Sequence, residues 1–235
     1  MGYALPTARP HLRAASTPLL PAGAPVFHLH NAQTPTALQL KMLADKVVAA
    51  SLLIILAPLM ILIAVAIALT SSGPVLYRSM RVGKNNTPFG MWKFRTMVQN
   101  ADQLRAKLRH QTGQTQQLFK MKHDPRITPL GRLLRKSSLD ELPQLYNVLL
   151  GDMSLVGPRA LPQDDYAVFP RTFARQRVSV LPGVTGIWQV SGRSSLSTDR
   201  LVSLESNYIS QWSLWQDVQI LLETVPAVLT ARGAM

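Results

Sequence analysis

The sequence predicts a mainly α-helical protein with a small β-hairpin, held monotopically in a membrane by one re-entrant, proline-kinked hydrophobic helix and by amphipathic interfacial helices. Three observations lead to this fold class. Val47 to Leu69 contains no charged residue. Lysine and arginine residues flank this apolar run on both sides. Short segments with helical spacing of apolar residues follow it, separated by turn signals.

The chain divides into three segments. Residues 1–37 hold many proline and alanine residues, which predicts a flexible cytoplasmic tail and not a signal peptide, because proline interrupts every apolar stretch there. Residues 38–77 contain the membrane-embedded helix. Residues 78–235 form a cytoplasmic domain. One compact domain plus a membrane element is the natural expectation for 235 residues.

The apolar run is long enough to enter a bilayer. Within residues 47–69 only Ser51 and Pro58 fall outside the apolar set, and fourteen residues are Leu, Ile or Val. At about −0.3 to −0.6 kcal/mol each, these fourteen outweigh the cost of about 3 kcal/mol for an interior proline. The alternative is a buried core helix, but hydrophobicity on all sides over this length argues against it.

Pro58 and the flanking charges predict that this helix returns to the face from which it enters. Lys41 and Lys46 precede the run, and Arg78 and Lys84 follow it. A crossing helix usually carries its basic excess on one side, so basic flanks on both sides favour a helix that bends at Pro58 and re-emerges. A kinked crossing helix is the alternative, because proline is tolerated in spanning helices.

The positive charge is concentrated directly after the apolar run. Residues 78–136 hold fourteen Lys and Arg against two Asp, a net charge of +12, whereas residues 137–235 hold seven Arg against nine acids, a net charge of −2. A basic block beside a membrane segment favours anionic membrane lipids and anionic substrates. A solvated face or a nucleic-acid surface is the alternative. No helix-turn-helix, zinc-finger or RNP pattern supports it, so we expect no nucleic-acid partner.

Several site classes are excluded. The chain has no cysteine, which rules out disulfides, thiolate metal sites and a cysteine nucleophile. Its five His residues lack metal-ligand spacing, and no P-loop, Gly-x-Gly-x-x-Gly, Gly-x-Ser-x-Gly or Asp-x-Asp motif is present.

Local patterns predict the remaining elements. The stretch from Arg81 to Phe89 is typical of a strand-turn-strand, with Asn85-Asn86 at the turn, and residues 101–110 form a short charged helix. Residues 182–193 form a glycine-rich loop. Residues 213–230 form a helix with a capping box at its start and Gly233 as its stop. Trp212 and Trp215 lie either at headgroup level or in the domain core.

The adjacent acids Asp140 and Glu141 are the strongest candidates for chemistry. Ser138-x-x-Glu141 has the form of a capping box, which predicts both acids in the first turn of a helix. Backbone N–H groups at that end attract phosphate, and Mg²⁺ binds through one or two carboxylates plus substrate phosphates. The alternative is that both acids are ordinary helix caps.

Three stretches carry a family resemblance. Residues 137–159 read Ser-Ser-Leu-Asp-Glu-Leu-Pro-Gln-Leu-Tyr-Asn-Val-Leu-Leu-Gly-Asp-Met-Ser-Leu-Val-Gly-Pro-Arg, Lys93-Phe-Arg-Thr-Met97 follows the hairpin, and Pro182-Gly-Val-Thr-Gly-Ile-Trp-Gln-Val-Ser-Gly-Arg193 comes later. From about Lys41 to Met235 the chain resembles the bacterial sugar transferases, the monotopic phosphoglycosyltransferases. That family is known for a re-entrant helix with Ser-Pro at the bend, where this chain has Ala57-Pro58.

The resemblance implies a reaction and its residues. Members move a sugar-phosphate from a UDP-sugar to a polyprenyl (undecaprenyl) phosphate through a phosphosugar-aspartyl enzyme and release UMP. It implies Asp140 as the nucleophile and Glu141 as the Mg²⁺ ligand or proton acceptor. The implied substrate-binding residues are Lys93, Arg95, Arg135, Arg159, Arg193 and Glu205, the last standing where the family commonly has Asp.

The resemblance also implies a cellular setting. The catalytic domain is expected on the cytoplasmic face of the bacterial inner membrane, in exopolysaccharide or glycoconjugate synthesis, with downstream glycosyltransferases as further partners. Only 46 residues precede the apolar run, so we expect the minimal catalytic form, similar to exopolysaccharide-initiating members. Two alternatives stand: a membrane-tethered basic scaffold or nucleic-acid binder without catalysis, and a metal-dependent glycosyltransferase that releases UDP. The sequence assigns neither the sugar nor an oligomeric state.

Overall fold

The longest element is helix α1, Pro35–Thr70, in a computed structural model that describes residues 34–101, 103–104, 124–193 and 196–230. Thr34 caps its start by accepting a hydrogen bond from the N–H of Ala37 at 3.2 Å. The helix continues through Pro58 as one element and is long and apolar enough, by length and composition, to cross a membrane. The predicted apolar helix is confirmed. Its re-entrant course stays a prediction.

Helix α1 packs on the rest of the protein along much of its length, and its apolar side chains enter two separate hydrophobic cores. Ala49 packs into the larger hydrophobic core beside Val148. Fourteen positions later, Ile63 packs into a second, smaller core with Phe94. The packing is one-sided: Leu52, Leu53, Leu59 and Met60 lie against the two cores, whereas Ile54, Ile55, Ile61 and Leu62 are each 64–76% exposed. A core helix of a soluble domain would have these side chains covered.

The hairpin predicted after α1 is present and is longer than predicted. Strand β1, Leu76–Val82, pairs antiparallel with β2, Pro88–Phe94. The connecting turn, Lys84–Asn86, places Asn85 and Asn86 at φ values of 55° and 61°. Asparagine tolerates this left-handed conformation better than most residues, which explains the Asn-Asn pair at the turn. The predicted helix over residues 101–110 lies mostly outside the described residues.

The predicted capping box at Ser138 is wrong. Helix α2, Pro129–Lys136, is followed by a separate 3-10 turn, Leu139–Glu141, and helix α3, Gln144–Leu150, begins only after Pro143. Ser138 has a left-handed φ of 58°, and its side chain makes no capping hydrogen bond. Pro143 lacks an N–H and therefore sits at the start of α3, which leaves the acid pair in its own turn.

The predicted glycine-rich loop contains regular structure. Strand β3, Ser154–Val156, pairs in parallel with β4, Gly183–Thr185, and β4 leads into the short helix α5, Ile187–Val190. Between the two strands lie a 3-10 turn, Gln163–Val168, and helix α4, Arg171–Arg177. Helix α6, Thr198–Ser210, follows.

Helix α7, Leu214–Leu229, begins as predicted, because the Ser213 side chain accepts from the N–H of Gln216. The predicted stop at Gly233 lies outside the described residues. The two neighbouring tryptophans have different environments: Trp212 is buried and donates to Asp217 at 3.0 Å, whereas Trp215 is 66% exposed.

Asp217 also joins α7 to helix α1. Its carboxylate contacts the Lys41 ammonium at 2.5 Å, and the Tyr208 hydroxyl donates to it at 2.8 Å. On the facing turn of α1, Asp45 accepts from the Ser154 hydroxyl at 2.6 Å. Lys41 is therefore engaged by the domain and does not project as a free flanking charge.

Candidate functional site

The acid pair lies in a turn that the end of α2 and a neighbouring arginine hold in place. Ser138 reverses the chain direction after α2, so that Asp140 points inward and is only 7% exposed. The Arg193 guanidinium donates to the Ser138 hydroxyl at 3.2 Å and to the carbonyl of Gln189 at 3.3 Å. Arg193 thereby ties the segment after α5 to the turn that carries both acids.

Glu141 is held by two cations. Its Oε1 atom accepts from the Lys93 ammonium and from Nη2 of Arg159, both at 2.6 Å, and its Oε2 atom lies 3.3 Å from Nη1 of Arg159. Burial alone would raise the pKa of Glu141, but Arg159 and Lys93 outweigh it and hold that pKa well below its ordinary value. Glu141 is thus a carboxylate over the physiological pH range.

Lys93 is placed by the hairpin, and the hairpin is anchored on α3. The buried Asn147 side chain accepts from the N–H of Trp92 at 3.0 Å and donates to the carbonyl of Gly90 at 2.9 Å. The Asn147 side chain thereby makes the backbone hydrogen bonds that a neighbouring strand would otherwise make with β2. These hydrogen bonds fix the position of Lys93 relative to the 3-10 turn Leu139–Glu141, which lies just before α3.

Arg159 is placed by a close approach of two backbones. Residue 159 bridges to Gly183, and a Cβ atom on Gly183 would come within 2.1 Å of the Gly157 nitrogen. A Cβ atom on Gly157 would likewise come within 2.6 Å of the Leu181 carbonyl oxygen, so both positions require glycine. The Arg159 side chain then reaches Glu141 and lies 5.8 Å from the ring of Trp188.

Asp140 is in a different state from Glu141. No donor among the described residues hydrogen bonds with its carboxylate. Burial raises the pKa of Asp140 above its ordinary value against the opposing effect of Lys93, and the neighbouring Glu141 charge adds to the rise. Arg135 also acts on this carboxylate and is itself held by Thr96, whose hydroxyl accepts from Nε at 2.8 Å. The result is a buried carboxylate that lies among cations and accepts no hydrogen bond from the described part of the chain.

Two predicted binding residues lie elsewhere. Arg95 is buried and donates to the carbonyl of Pro74 and to the carbonyl and hydroxyl of Ser71, so it holds the end of α1. Glu205 is 1% exposed and pairs with Arg177 on α4, at 2.5 Å and 3.2 Å. Neither side chain joins the cluster around Glu141.

Two residues near the site were missed by sequence reasoning. Arg81, on β1, interacts electrostatically with both Arg159 and Glu141. Arg177 donates to the backbone carbonyl of Arg159 at 2.9 Å and so supports the segment that carries it. Each lies in a basic stretch where no spacing distinguishes it from its neighbours, so no local signal identifies either one.

The donor set can hold Mg²⁺ only together with a substrate. Among the residues that the structure describes, no group of three or more His, Cys, Asp or Glu side chains converges. Mg²⁺ is typically bound through one or two carboxylates plus substrate phosphates, and the acid pair fits that pattern. Among the described residues, Asp140 accepts no hydrogen bond and Oε2 of Glu141 has only the 3.3 Å contact with Arg159, so both carboxylates have lone pairs that no described residue uses.

The arrangement is suited to chemistry on a phosphate ester. Lys93, Arg135, Arg159 and Arg193 provide positive charge around Asp140, whose carboxylate accepts no hydrogen bond from a described residue. Arginine binds phosphate oxygens in a bidentate manner, and cations placed before the reaction stabilise charge that develops in the transition state. The cluster can therefore bind an anionic ester and present Asp140 to it.

Comparison with protein families gives one match that covers most of the chain. The model described as bacterial sugar transferase matches residues 36–231. This range includes α1, the hairpin, the acid turn and every helix up to α7.

Curated proteins are similar over the same region. The galactosyl transferase CpsE of Streptococcus agalactiae serotype III (strain NEM316) is 45% identical over 69% of this chain and 36% of its own length. The exopolysaccharide production protein ExoY of Sinorhizobium fredii (strain NBRC 101917 / NGR234) is 36% identical over 81% of this chain and 85% of its own length.

A third relative, the UDP-glucose:undecaprenyl-phosphate glucose-1-phosphate transferase of Caulobacter vibrioides (strain ATCC 19089 / CIP 103742 / CB 15), is 44% identical over 83% of this chain and 71% of its own length. The chain spans less than half the length of several curated relatives, with shares of 36%, 41% and 42% for three of them.

Proposed function

The chain belongs to the bacterial sugar transferase family, and we propose that it transfers a sugar-1-phosphate from a UDP-sugar to undecaprenyl phosphate. Relatives named as undecaprenyl-phosphate sugar phosphotransferases support the substrate class. ExoY relatives, named for exopolysaccharide production, support a role in starting a polysaccharide. The observation that carries the proposal is the buried carboxylate of Asp140 beside Lys93, Arg135 and Arg159.

The proposed reaction has two steps. In the first, an Asp140 oxygen attacks the sugar-linked phosphorus, a new P–O bond forms, and the phosphoanhydride bond breaks with release of UMP. In the second, an oxygen of undecaprenyl phosphate attacks the same phosphorus, and the Asp140–phosphorus bond breaks to free the enzyme. Carboxylate nucleophiles that form acyl-phosphates are an established catalytic class.

The cations have separate roles in this proposal. Lys93 and Arg159 fix Glu141 and leave their remaining donor positions for phosphate oxygens. Arg135 and Arg193 approach from α2 and from the segment after α5, and neutralise charge that builds on the phosphoryl group. Because a phosphate acceptor has a low pKa, little general-base catalysis is required in the second step.

Glu141, together with Asp140, is the proposed ligand for Mg²⁺. The bound ion would neutralise the diphosphate of the donor substrate and orient it. Lys93 and Arg159 keep Glu141 ionised whether or not the ion is present, because they hold its pKa low.

The membrane arrangement is part of the proposal. The part of α1 before Pro58, from Ala37 to Leu53, packs on the larger core, and the part after it, from Leu59 to Ile67, packs on the smaller core, so both halves of the helix lie against the same domain. A hydrocarbon core is about 30 Å thick, so a helix with both halves against one domain is better suited to entering and leaving on one face. We place that domain on the cytoplasmic face of the inner membrane, where its basic surface meets anionic lipid.

One assay tests the reaction class. The purified chain in nanodiscs is given a UDP-sugar, with and without undecaprenyl phosphate, and the released nucleotide is identified. UMP release and lipid-linked sugar phosphate are expected. UDP release would instead indicate a metal-dependent glycosyltransferase, and no release with any UDP-sugar would indicate a scaffold. Asp140→Asn should abolish turnover, whereas the matched control Asp199→Asn, on the exposed start of α6, should not.

A further inference from the structure

A cavity of about 260 Å³ lies between the hairpin turn at Asn86 and the segment formed by the 3-10 turn and helix α4. Its wall combines two aromatic rings, an amide and a guanidinium with small apolar side chains, and its lining includes Asn86, Tyr166, Ala167, Phe169, Arg171 and Val178. Ligand pockets for drug-sized molecules are typically about 300–1,000 Å³. This cavity is therefore suited to a single ring system and not to a whole nucleotide sugar.

The amide in this wall has an unused acceptor. The Oδ1 atom of Asn86 is buried and accepts no hydrogen bond from any described residue. Asn86 adopts a left-handed φ of 61°. The backbone beside it is held in place, because the N–H of Asn85 donates to the carbonyl of Val178 at 2.6 Å. Buried acceptors are nearly always satisfied, so this atom indicates a place for a donor supplied from outside the chain.

The cavity is connected to the acid pair through Arg177. The guanidinium of Arg177 lies 5.5 Å from the ring of Tyr166 and 5.4 Å from that of Phe169, which both line the cavity. The same guanidinium donates to the carbonyl of Arg159 at 2.9 Å, and the Arg159 side chain binds Glu141. Two side chains therefore separate the cavity wall from the acid pair.

Arg81 lies along the same route. It interacts electrostatically with Glu141 and Arg159, and also with Asp165, which precedes Tyr166 in the 3-10 turn. Its Nε atom is buried and has no hydrogen-bond partner among the described residues. The backbone from Arg81 to Asn86 can span at most about 18 Å, and the turn shortens this distance.

We propose that this cavity binds the uracil ring of the UDP-sugar, with Asn86 Oδ1 accepting the N3–H of the base and the diphosphate passing Arg81 toward Glu141. The inference rests on the proposed function and adds the part of the site that selects the nucleotide. Tyr166 and Phe169 supply the aromatic contacts that nucleobases favour. Cytosine carries an acceptor at N3 and would meet Oδ1 with two lone pairs opposed, so the site prefers uracil.

The first test fills the cavity. Ala167→Trp places a bulky ring on the cavity wall, and Val168→Trp is the matched control, because Val168 is an exposed neighbour that does not line the cavity. UMP binding to the full chain in nanodiscs is measured by calorimetry, together with KM for the UDP-sugar. Ala167→Trp should raise both Kd and KM about tenfold, and Val168→Trp should leave them unchanged.

The second test removes the acceptor. Asn86→Gly deletes the amide while tolerating the positive φ. The wild type should bind UMP more tightly than CMP, and Asn86→Gly should abolish that preference with little effect on ribose 5-phosphate.

The outcomes separate this inference from the proposed function. If the wild type releases UMP from a UDP-sugar but Ala167→Trp binds UMP normally, the base lies elsewhere and only the inference is overturned. Two results would disprove the proposed contact with the base. Ala167→Trp could weaken the binding of ribose 5-phosphate as much as that of UMP, or Asn86→Gly could retain the preference for UMP over CMP. If the wild type releases no UMP, both the proposed function and this inference are wrong.

Discussion

Glu205→Gln is the perturbation that best separates a structural role from a substrate-binding role. Glu205 and Arg177 form an ion pair whose two side chains are each 1% exposed. The Arg177 guanidinium also lies 5.4–5.9 Å from the rings of Tyr166, Phe169 and Phe173. Glutamine keeps the shape of Glu205 but removes its charge, so the variant leaves an uncompensated cation in an aromatic surrounding.

The expected loss is large. Removing one partner of a buried ion pair typically destabilises a protein by about 3–5 kcal/mol, because the other charge stays buried. For a chain of 150–250 residues, each kcal/mol shifts the melting temperature by about 2–4 °C. We therefore expect Glu205→Gln to lower the Tm by about 6–20 °C, with the smaller shift applying if the glutamine oxygen still accepts from Arg177.

The measurement is thermal unfolding of the full chain in nanodiscs, followed by tryptophan fluorescence, with kinetics at a temperature where both proteins are folded. Glu223→Gln, on the exposed side of α7, is the matched control and should shift the Tm by less than about 2 °C. KM for the UDP-sugar should change little in either variant. An unchanged Tm with a strongly raised KM for Glu205→Gln would refute the buried-pair reasoning and return Glu205 to the substrate site.

The remaining predictions concern the acid pair and the membrane helix. Glu141→Gln removes a charge that raises the pKa of Asp140, so the acid limb of residual kcat/KM should move to lower pH, and Lys93→Gln should move it to higher pH. Shifts in the same direction would contradict this assignment. Cysteines introduced at Thr36 and Lys84 in this cysteine-free chain should react with an impermeant thiol reagent from the same side of the membrane. Labelling from opposite sides would establish a crossing helix.

Elements that depend on local signals were predictable from the sequence. The apolar run marks α1, Asn85 and Asn86 mark the hairpin turn, and Ser213 marks the start of α7. Each signal acts within a few residues, through burial, left-handed φ or a capping hydrogen bond. The Ser138 capping box failed because Pro143 offers a competing helix start five residues later.

Contacts between distant residues were not predictable. Lys41 and Asp217 are 176 positions apart, and Arg177 and Glu205 are 28 apart. Side-chain spacing gives no information about such pairs, so Lys41 was interpreted as a membrane-flanking charge and Glu205 as a substrate ligand. The family resemblance assigned Lys93 and Arg159 to substrate binding, but their hydrogen bonds with Glu141 were not predicted, since neither is encoded locally.

The proposed mechanism requires that Asp140 forms a covalent bond to the transferred phosphoryl group. Wild-type protein is incubated with a UDP-sugar labelled in the β-phosphate, without undecaprenyl phosphate, and then digested and mapped by mass spectrometry. A covalent aspartyl intermediate predicts UMP release, label on residue 140 that hydroxylamine removes, and transfer of that label when undecaprenyl phosphate is added. No label should appear on Asp140→Asn. Full turnover by Asp140→Asn, or turnover without any protein-bound label, would contradict this mechanism.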